Sequence, residues 1–562
     1  MIADRYSVQA MRSALTIALF TLGCESNSKT ATSAPSQNDT GSASTVDSGQ
    51  EEEEEEQEEE EPPPDSGQSD TGLPEEEPDT LDLHLSVDPE CVVCVIAYTT
   101  QDMAAELVLT VGESGTSLAP RVQWHADTID TTPILELHTE TTYDVQVHRV
   151  DDPSIQSEVM SITTGSLPDD FPPIVTTHAD PDRMQPGLTL INIVEWQRHY
   201  SMDRNFLIVL DAEGRVVWYY RLRALNLGLQ FDDKKTIYTT NSLVRGLAIN
   251  PYHQTTRAWE AEDLGVDTIH HDIQPTDDGG MAFLSTEHES VPGWFDETTG
   301  WEITYDIIGD VLTTIDASGH QTWSWSILDH IDPLEHHTFD LHMTFWNRPP
   351  YEDLSFPKDW SHANGMVPHE SGWLASFRNL DWLMQINPDT DAIEWIFGPG
   401  GDFELEEGSR WFSRQHSPAI TEDGRILLYD NGNDRADRKP GEQPFSRVVE
   451  YELDHETGTA KEVWTWDGGI PKVYCPIVGD VDRLENGNHL ITDGAVYSGT
   501  IHESGGPRPH FSGRIREVAG TETPEVIWEV ILGNPDDIEL EGWFVYRSIR
   551  IDSLYPTDVQ PL

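Results

Sequence analysis

The stretch Arg410–Arg435 reads RWFSRQHSPAITEDGRILLYDNGNDR. His416 precedes an apolar step, Pro418-Ala419-Ile420. Glu422-Asp423-Gly424 follows as a turn, and Arg425–Tyr429 then runs as a strand up to Asp430-Asn431-Gly432. Two short apolar runs around an acidic-Gly turn form a hairpin signal. The same phrase follows His271 (DIQPTDDGGMAFLS) and His362 (ANGMVPHESGWLASFR). It also occurs in LGLQFDDKKTIYTT (227–240) and VGDVDRLENGNHLIT (478–492).

A second phrase alternates with the first. It is a turn and strand ending in Trp, as in VLDAEGRVVWYYRL (209–222), TTIDASGHQTWSWSIL (313–328) and LMQINPDTDAIEWIFG (383–398). Trp218, Trp259, Trp325, Trp395, Trp464 and Trp528 mark one position per copy. Six copies of a four-stranded unit predict an all-β fold built on a six-bladed β-propeller. Trp543–Leu554 is expected to pair with the first blade and close the ring. Residues 289–306 and 331–358 read as loops on one face, where propellers carry function. The innermost strand of each blade lines the axis. His271, His362 and His416, each just before an inner strand, are therefore expected to meet there. Arg378 follows the inner strands begun by His362, and Asn364 lies two residues after that histidine.

The chain has 562 residues, more than one ordinary domain. Its 18 Trp and 16 Tyr favour strands. A net charge of −69 sets nucleic-acid binding aside, since phosphate binders carry the opposite sign. Arg12, the apolar run Ala14–Leu22 and Gly23-Cys24 resemble a bacterial lipoprotein signal with Cys24 as the lipidated residue. An ordinary secretory signal with an unrelated Cys is the other reading, and Met11 is an alternative start. Residues 1–24 are thus expected to be the signal and 25–80 a disordered acidic tether, poor in apolar residues and carrying the run Glu51–Glu61. The implied location is an exported, outer-membrane lipoprotein of a Gram-negative-type bacterium, facing the periplasm or the cell surface. Its membrane contact would be through a lipid anchor only.

Residues 81–167 hold short alternating runs separated by turns, which predicts a β-sandwich. Thr142-Tyr143, the alternation through Val145 and Val147, and Ser161–Gly165 resemble a fibronectin type III, Ig-like module. A Pro/Asp linker, 167–173, precedes the propeller, 172–562. Cys91 and Cys94 form a C-x-x-C. With no second pair nearby zinc is weakly supported, and strand geometry points the two side chains to opposite faces. They are expected to be two small buried residues. Cys475 is expected to be unpaired.

Three motifs carry a wider resemblance: Asp359-Trp360-Ser361-His362-Ala363-Asn364, Ala375-Ser376-Phe377-Arg378-Asn379-Leu380-Asp381, and Gln415-His416 with Tyr429-Asp430-Asn431-Gly432. Together they resemble the bacterial arylsulfate sulfotransferases, secreted six-bladed propellers preceded by a small β-sandwich. The resemblance implies transfer of a sulfuryl group from a phenolic sulfate to a phenol by a ping-pong mechanism through a sulfohistidine. It implies no nucleotide donor, cofactor or metal. By the same resemblance His416 is the nucleophile, and His362 and Arg378 hold the sulfate oxygens or serve the phenolic oxygen. His271 or its neighbour His270 matches a further site histidine, Asn364 a sulfate-contacting amide, and Thr492 a threonine near the sulfate. No cysteine pair near His416 supplies the bridge found in some relatives.

The residue types suit that chemistry. A moving sulfuryl group spreads charge over three oxygens and needs fixed donors. Arg offers a planar fork for an oxyanion, and a neutral imidazole is a competent nucleophile. No Gly-rich phosphate loop occurs in the chain. Two other readings stay open. One is a non-catalytic propeller lipoprotein that binds a ligand or envelope partner. The other is a histidine-dependent lyase or metal hydrolase, for which the loop histidines His336, His337 and His342 would be candidate ligands.

Overall fold

A computed structural model describes residues 80–555 except 101–104, 127–130, 197–203, 297–299, 337–344, 347, 355–356, 371, 470–471, 502–506 and 534–541. The signal, Cys24 and the acidic tether lie outside the described residues. The described chain is nearly all antiparallel β-sheet. Among the described residues no helix is long and apolar enough to cross a membrane.

The N-terminal part contains two sheets. One pairs His84–Val87, Val95–Tyr98 and Thr131–Ile134. The other orders Ala119–Ala126, Ala105–Glu113, Thr142–Arg149 and Met160–Thr163. Strict alternation buries Tyr143, Val145 and Val147 on one face of Thr142–Arg149, as a period of two requires. Cys91 and Cys94 are joined by a disulfide. The expectation of two separate residues fails because the segment is a turn, not a strand: Cys94 N donates to Cys91 O at 2.8 Å, and the strand starts only at Val95. Cys475 is a buried free thiol.

Among the described residues the Trp-marked units form six sheets. Their first strands are Gly542–Ile551, Gln230–Phe231, His270–Pro275, Ala363–His369, His416–Ile420 and Asp480–Arg483. These first strands touch in that order, and the sixth touches the first. Sheets that share an axis of first strands in this way have the layout of a β-propeller. The Glu422-Asp423-Gly424 turn closes tightly: Gly424 sits at φ 79°, and its N–H donates to Thr421 O at 2.8 Å.

The marker tryptophans explain the repeat. Each lies on the fourth strand of its sheet. Trp218, Trp325 and Trp464 donate their indole N–H to Pro251 O, Asp391 O and Thr521 O, in the outer hairpins of the following sheets. A large side chain at that position therefore fills the wedge between neighbouring sheets and joins their edges.

Both ends of the chain close the ring. The C-terminal strand Gly542–Ile551 pairs with Leu188–Trp196 as the first sheet's inner strand, as expected. Ile174–Ala179 adds to the outer edge of the last sheet through Val526–Leu532, which was not anticipated. Residues 289–296 and 301–306, expected as part of a loop, are strand. They extend two strands, Met281–Asp296 and Trp301–Ile315, into a long ribbon, with a bulge between Val291 and Trp294 absorbing Pro292-Gly293. The N-terminal sheets and the ring share one apolar cluster and belong to one compact unit. Tyr555 O–H, Glu136 and Asp211 tie them together through Leu135 O, Ser553 and His138.

A buried ion pair joins the first and third sheets. Arg547, on the C-terminal strand, donates to both oxygens of Asp272 at 2.7 and 2.8 Å. The same carboxylate accepts from Met366 N at 2.8 Å. Removing one partner strands a buried charge, whereas replacing both does not. Arg547→Met or Asp272→Leu alone should lower stability by about 3–5 kcal/mol in urea denaturation. The double variant should recover most of that loss. Additive single effects would show that the pair does not act as a unit.

Candidate active site

The three histidines meet where the first strands begin. Each sits at or beside a break in strand register. The breaks lie between His270 and Ile273, between Ala363 and Gly365, and between His416 and Ala419. His271 and His362 adopt φ values of 53° and 52°, and Ser417, after His416, adopts 47°. Left-handed backbone at non-glycine residues is unfavourable and persists where the surroundings over-determine it. Here it turns each side chain out of the strand's alternation and toward the axis.

The groups are mutually close. The rings of His271 and His362 lie 4.8 Å apart at 67°. The charge of Arg378 acts on both His416 and His271. Arg378 extends from the end of Gly372–Phe377 into a short 3₁₀ turn. Its backbone N–H donates to His362 O at 3.0 Å, and its guanidinium donates to Asn379 Oδ1 at 2.8 Å. Phe345 stands 5.4 Å from the His271 ring and 5.2 Å from His362. Tyr546 lies 6.0 Å from His271. Aromatic rings therefore line the His271–His362 pair.

The proton positions follow from the neighbours. Asn431 Nδ2 donates to Cys475 O at 2.8 Å and Val478 O at 2.7 Å. Carbonyls only accept, so the amide cannot be flipped, and its Oδ1 is the acceptor 2.7 Å from His416 Nδ1. His416 therefore carries its proton on Nδ1 and leaves a lone pair on Nε2. His362 Nδ1 lies 2.6 Å from Asp359 Oδ2, so it too is protonated, and Nε2 is left for proton exchange. Trp346 Nε1 donates to the other oxygen of Asp359 at 3.1 Å and fixes the carboxylate.

His270 and His271 have different roles in the structure. His270 is fully buried; its Nε2 lies 3.0 Å from Ser285 O and 3.3 Å from Asp310 Oδ1. Its Nδ1 faces His271 Nδ1 at 2.7 Å. With one proton per ring, His270 Nδ1 accepts from His271, which leaves His271 Nε2 unprotonated beside His362. His271 is thus the one at the axis, and His270 orients it.

Asn364 donates Nδ2 to Gln415 O at 2.7 Å. Its Oδ1 is buried without a partner among the described residues, as is Gln415 Oε1. Thr492 lies on the second strand of the sixth sheet, and its hydroxyl is engaged with Ser548 Oγ at 2.5 Å. Of the loop histidines, His336 packs 5.0 Å from Trp382, while His337 and His342 lie outside the described residues.

Sequence reasoning missed the supporting groups. Asp359 and Asn431 lie inside the motifs around His362 and His416, with no role of their own legible there. Arg547 lies within the closing stretch Trp543–Leu554 and carries no motif of its own.

Burial, and then the Arg378 charge, hold His416 well below the ordinary histidine range. Burial, and then the charge of His362, do the same for His271. Both rings are neutral at pH 7. Their folded values lie below the unfolded value near 6.5, so the unfolded chain binds more protons as pH falls. Each histidine should therefore remove up to about 1.4 kcal/mol of stability per pH unit below roughly 6.5. His416→Asn should lower proton uptake on unfolding at pH 5.5 by about one. An unchanged uptake would contradict a neutral His416.

The Arylsulfotransferase (ASST) family model matches residues 174–530. The chain is 20% identical over 416 residues to the arylsulfate sulfotransferase AssT of Lelliottia amnigena, covering 61% of this chain and 65% of that protein. It is 22% identical over 177 residues to AssT of Escherichia coli O6:H1, strain CFT073, covering 26% of this chain and 28% of that one. The matched region thus spans less than two thirds of either relative. The structure of BamB from Moraxella catarrhalis aligns at 10% identity with a TM-score of 0.25, over 64% of this chain and 100% of that one. The match over most of the sheet ring and its histidines identifies the chain as a member of the arylsulfotransferase family.

Proposed function

We propose that this chain moves a sulfuryl group from an aryl sulfate to a phenol in two steps through His416. The observation that carries the reading is the His416 tautomer: a neutral ring, its Nδ1 proton held by Asn431, beside the Arg378 charge. In the first step His416 Nε2 attacks sulfur. The sulfur–oxygen bond to the aryl group breaks, and the phenolate leaves with the bonding pair and takes a proton from His362. In the second step an acceptor phenol gives its proton to His362 and attacks sulfur. The N–S bond breaks, and its electrons return to His416.

The remaining residues support this division of labour. Arg378 provides fixed positive charge for the sulfuryl oxygens. Asp359 stabilises His362 when it carries the extra proton. Asn364 Oδ1 is an acceptor available to a phenolic hydroxyl, and Phe345 and Tyr546 suit a planar ring. His271 completes the wall around the sulfuryl group. Thr492 would act at one remove, through Ser548. The N-terminal reading belongs to the same proposal: export, with lipidation at Cys24, would deliver the ring to phenolic sulfates outside the cytoplasm.

Folded protein given 4-nitrophenyl sulfate and an added phenol should release nitrophenol without any nucleotide. Release should depend on the acceptor, fall to background in His416→Ala, and leave a covalent sulfate on His416 when donor is given alone. No release from folded protein with any aryl sulfate would favour a non-catalytic binding role, and loss of activity on chelation would favour a metal hydrolase. Asn431→Leu should keep the fold and lower kcat about 100-fold by freeing the ring. Cys24→Ala should move the chain from the membrane to the soluble fraction of the exporting cell.

A further inference from the structure

Outside the axial histidines, the chain gathers three soft ligands at one point. Cys91 and Cys94 flank a tight turn, with Cα atoms 5.3 Å apart and both residues buried. His253 lies in the turn that joins Arg245–Ile249 to Thr255–Glu260, in the second sheet of the ring. One ligating atom from each of the three, both sulfurs and a ring nitrogen, lies within 4.8 Å of the others. The turn holding His253 is anchored, because Trp218 Nε1 donates to Pro251 O at 2.9 Å. The ring itself stands edge-on to Trp218 at 5.4 Å and Tyr220 at 5.7 Å.

His253 looks built for more than packing. Its Nε2 is enclosed with no hydrogen-bond partner among the described residues. Its backbone is held at φ 60°. A buried imidazole nitrogen normally finds a partner. Asp88 and Glu90 lie close enough for their charges to act on the ring, which lowers the cost of bringing a cation there.

We propose that reduced Cys91 and Cys94, together with His253, form a three-ligand site for a thiophilic d¹⁰ cation, Zn²⁺ or Cu⁺. Two thiolates and an imidazole are the donor set such ions select. The C-x-x-C turn presents both sulfurs to one side, and the tertiary fold supplies the third ligand from the second sheet. The disulfide is the oxidised form of the same site. Opening it needs two electrons. A trialkylphosphine supplies them: the S–S bond breaks, water provides the oxygen of the phosphine oxide, and two thiols result. The cation then displaces both thiol protons, His253 gives its lone pair, and a fourth position is left for water. Occupancy would clamp the N-terminal sheets to the ring, so redox state and metal would control that junction.

The test uses the full chain with Cys24→Ala and Cys475→Ala, so that only one thiol pair remains. After phosphine reduction and anaerobic removal of the phosphine, Co²⁺ is titrated as a spectroscopic stand-in. One Co²⁺ per chain should bind, with intense visible bands of tetrahedral thiolate coordination, and Zn²⁺ should displace it. His253→Ala should weaken binding by at least about tenfold and change the band pattern. Zn²⁺ should also slow alkylation of the two thiols far less in His253→Ala than in the parent. Circular dichroism checks that the variant is folded. Equal Co²⁺ affinity and spectra with and without His253, equal binding to the oxidised chain, or no thiolate bands in the reduced chain would each overturn the proposal.

Discussion

The Asp272–Arg547 pair is the constraint on which the centre of this molecule depends. Arg547 belongs to the last strand of the chain and Asp272 to the strand that carries His271. Their bidentate contact joins the first and third sheets, and the same carboxylate holds Met366 N on the strand that follows His362. One buried anion therefore fixes three sheets at once. Such pairs are weak contributors to net stability, because desolvating two charges offsets most of their attraction. Their value lies in direction: a forked guanidinium accepts one orientation of a carboxylate. Here that orientation sets the register between the C-terminal strand and the bulges that hold the histidines.

Those bulges concentrate unfavourable backbone in one place. His271 and His362 occupy a region of φ that costs of order 1–3 kcal/mol each. The ring can carry that cost because its wedges are filled by the marker tryptophans and its ends are closed twice, by Gly542–Ile551 and by Ile174–Ala179. Rigid sheets thus support strained residues at their inner ends. The result is a set of imidazoles whose tautomers are dictated by immovable acceptors, namely Asn431 Oδ1, Asp359 Oδ2 and Ser285 O.

Electrostatics work against the composition. The chain carries a net charge of −69, yet at its centre the Arg378 charge stands beside the neutral rings of His416 and His271. Arg378 keeps His416 neutral, and burial does most of that work. Asp430 and Glu462 together balance Arg435 and Arg447 close to Asn431. Together these local terms prepare a lone pair and a fixed cation inside an acidic protein.

Much of this was legible in the chain. The recurrent Trp and the acidic-Gly turns determined the all-β units and their order, because strand alternation and turn chemistry are local. The equivalence of His271, His362 and His416 followed from the repeat. The sequence could not say which of His270 and His271 faces the axis, since register breaks decide it and local alternation does not predict them. Nor could it reveal that Asn431 and Asp359 set proton positions, that Arg547 reaches Asp272, or that Cys91 and Cys94 are bonded beside His253. Arg547 and Asp272 are 275 residues apart, and His253 lies far along the chain from the Cys91–Cys94 turn, so only the fold brings them together. Local preferences act over a few residues, so the sequence by itself determined the units and the residue types of the site. The tertiary structure alone decided which polar atoms face one another, because only ring closure fixes the distances between sheets.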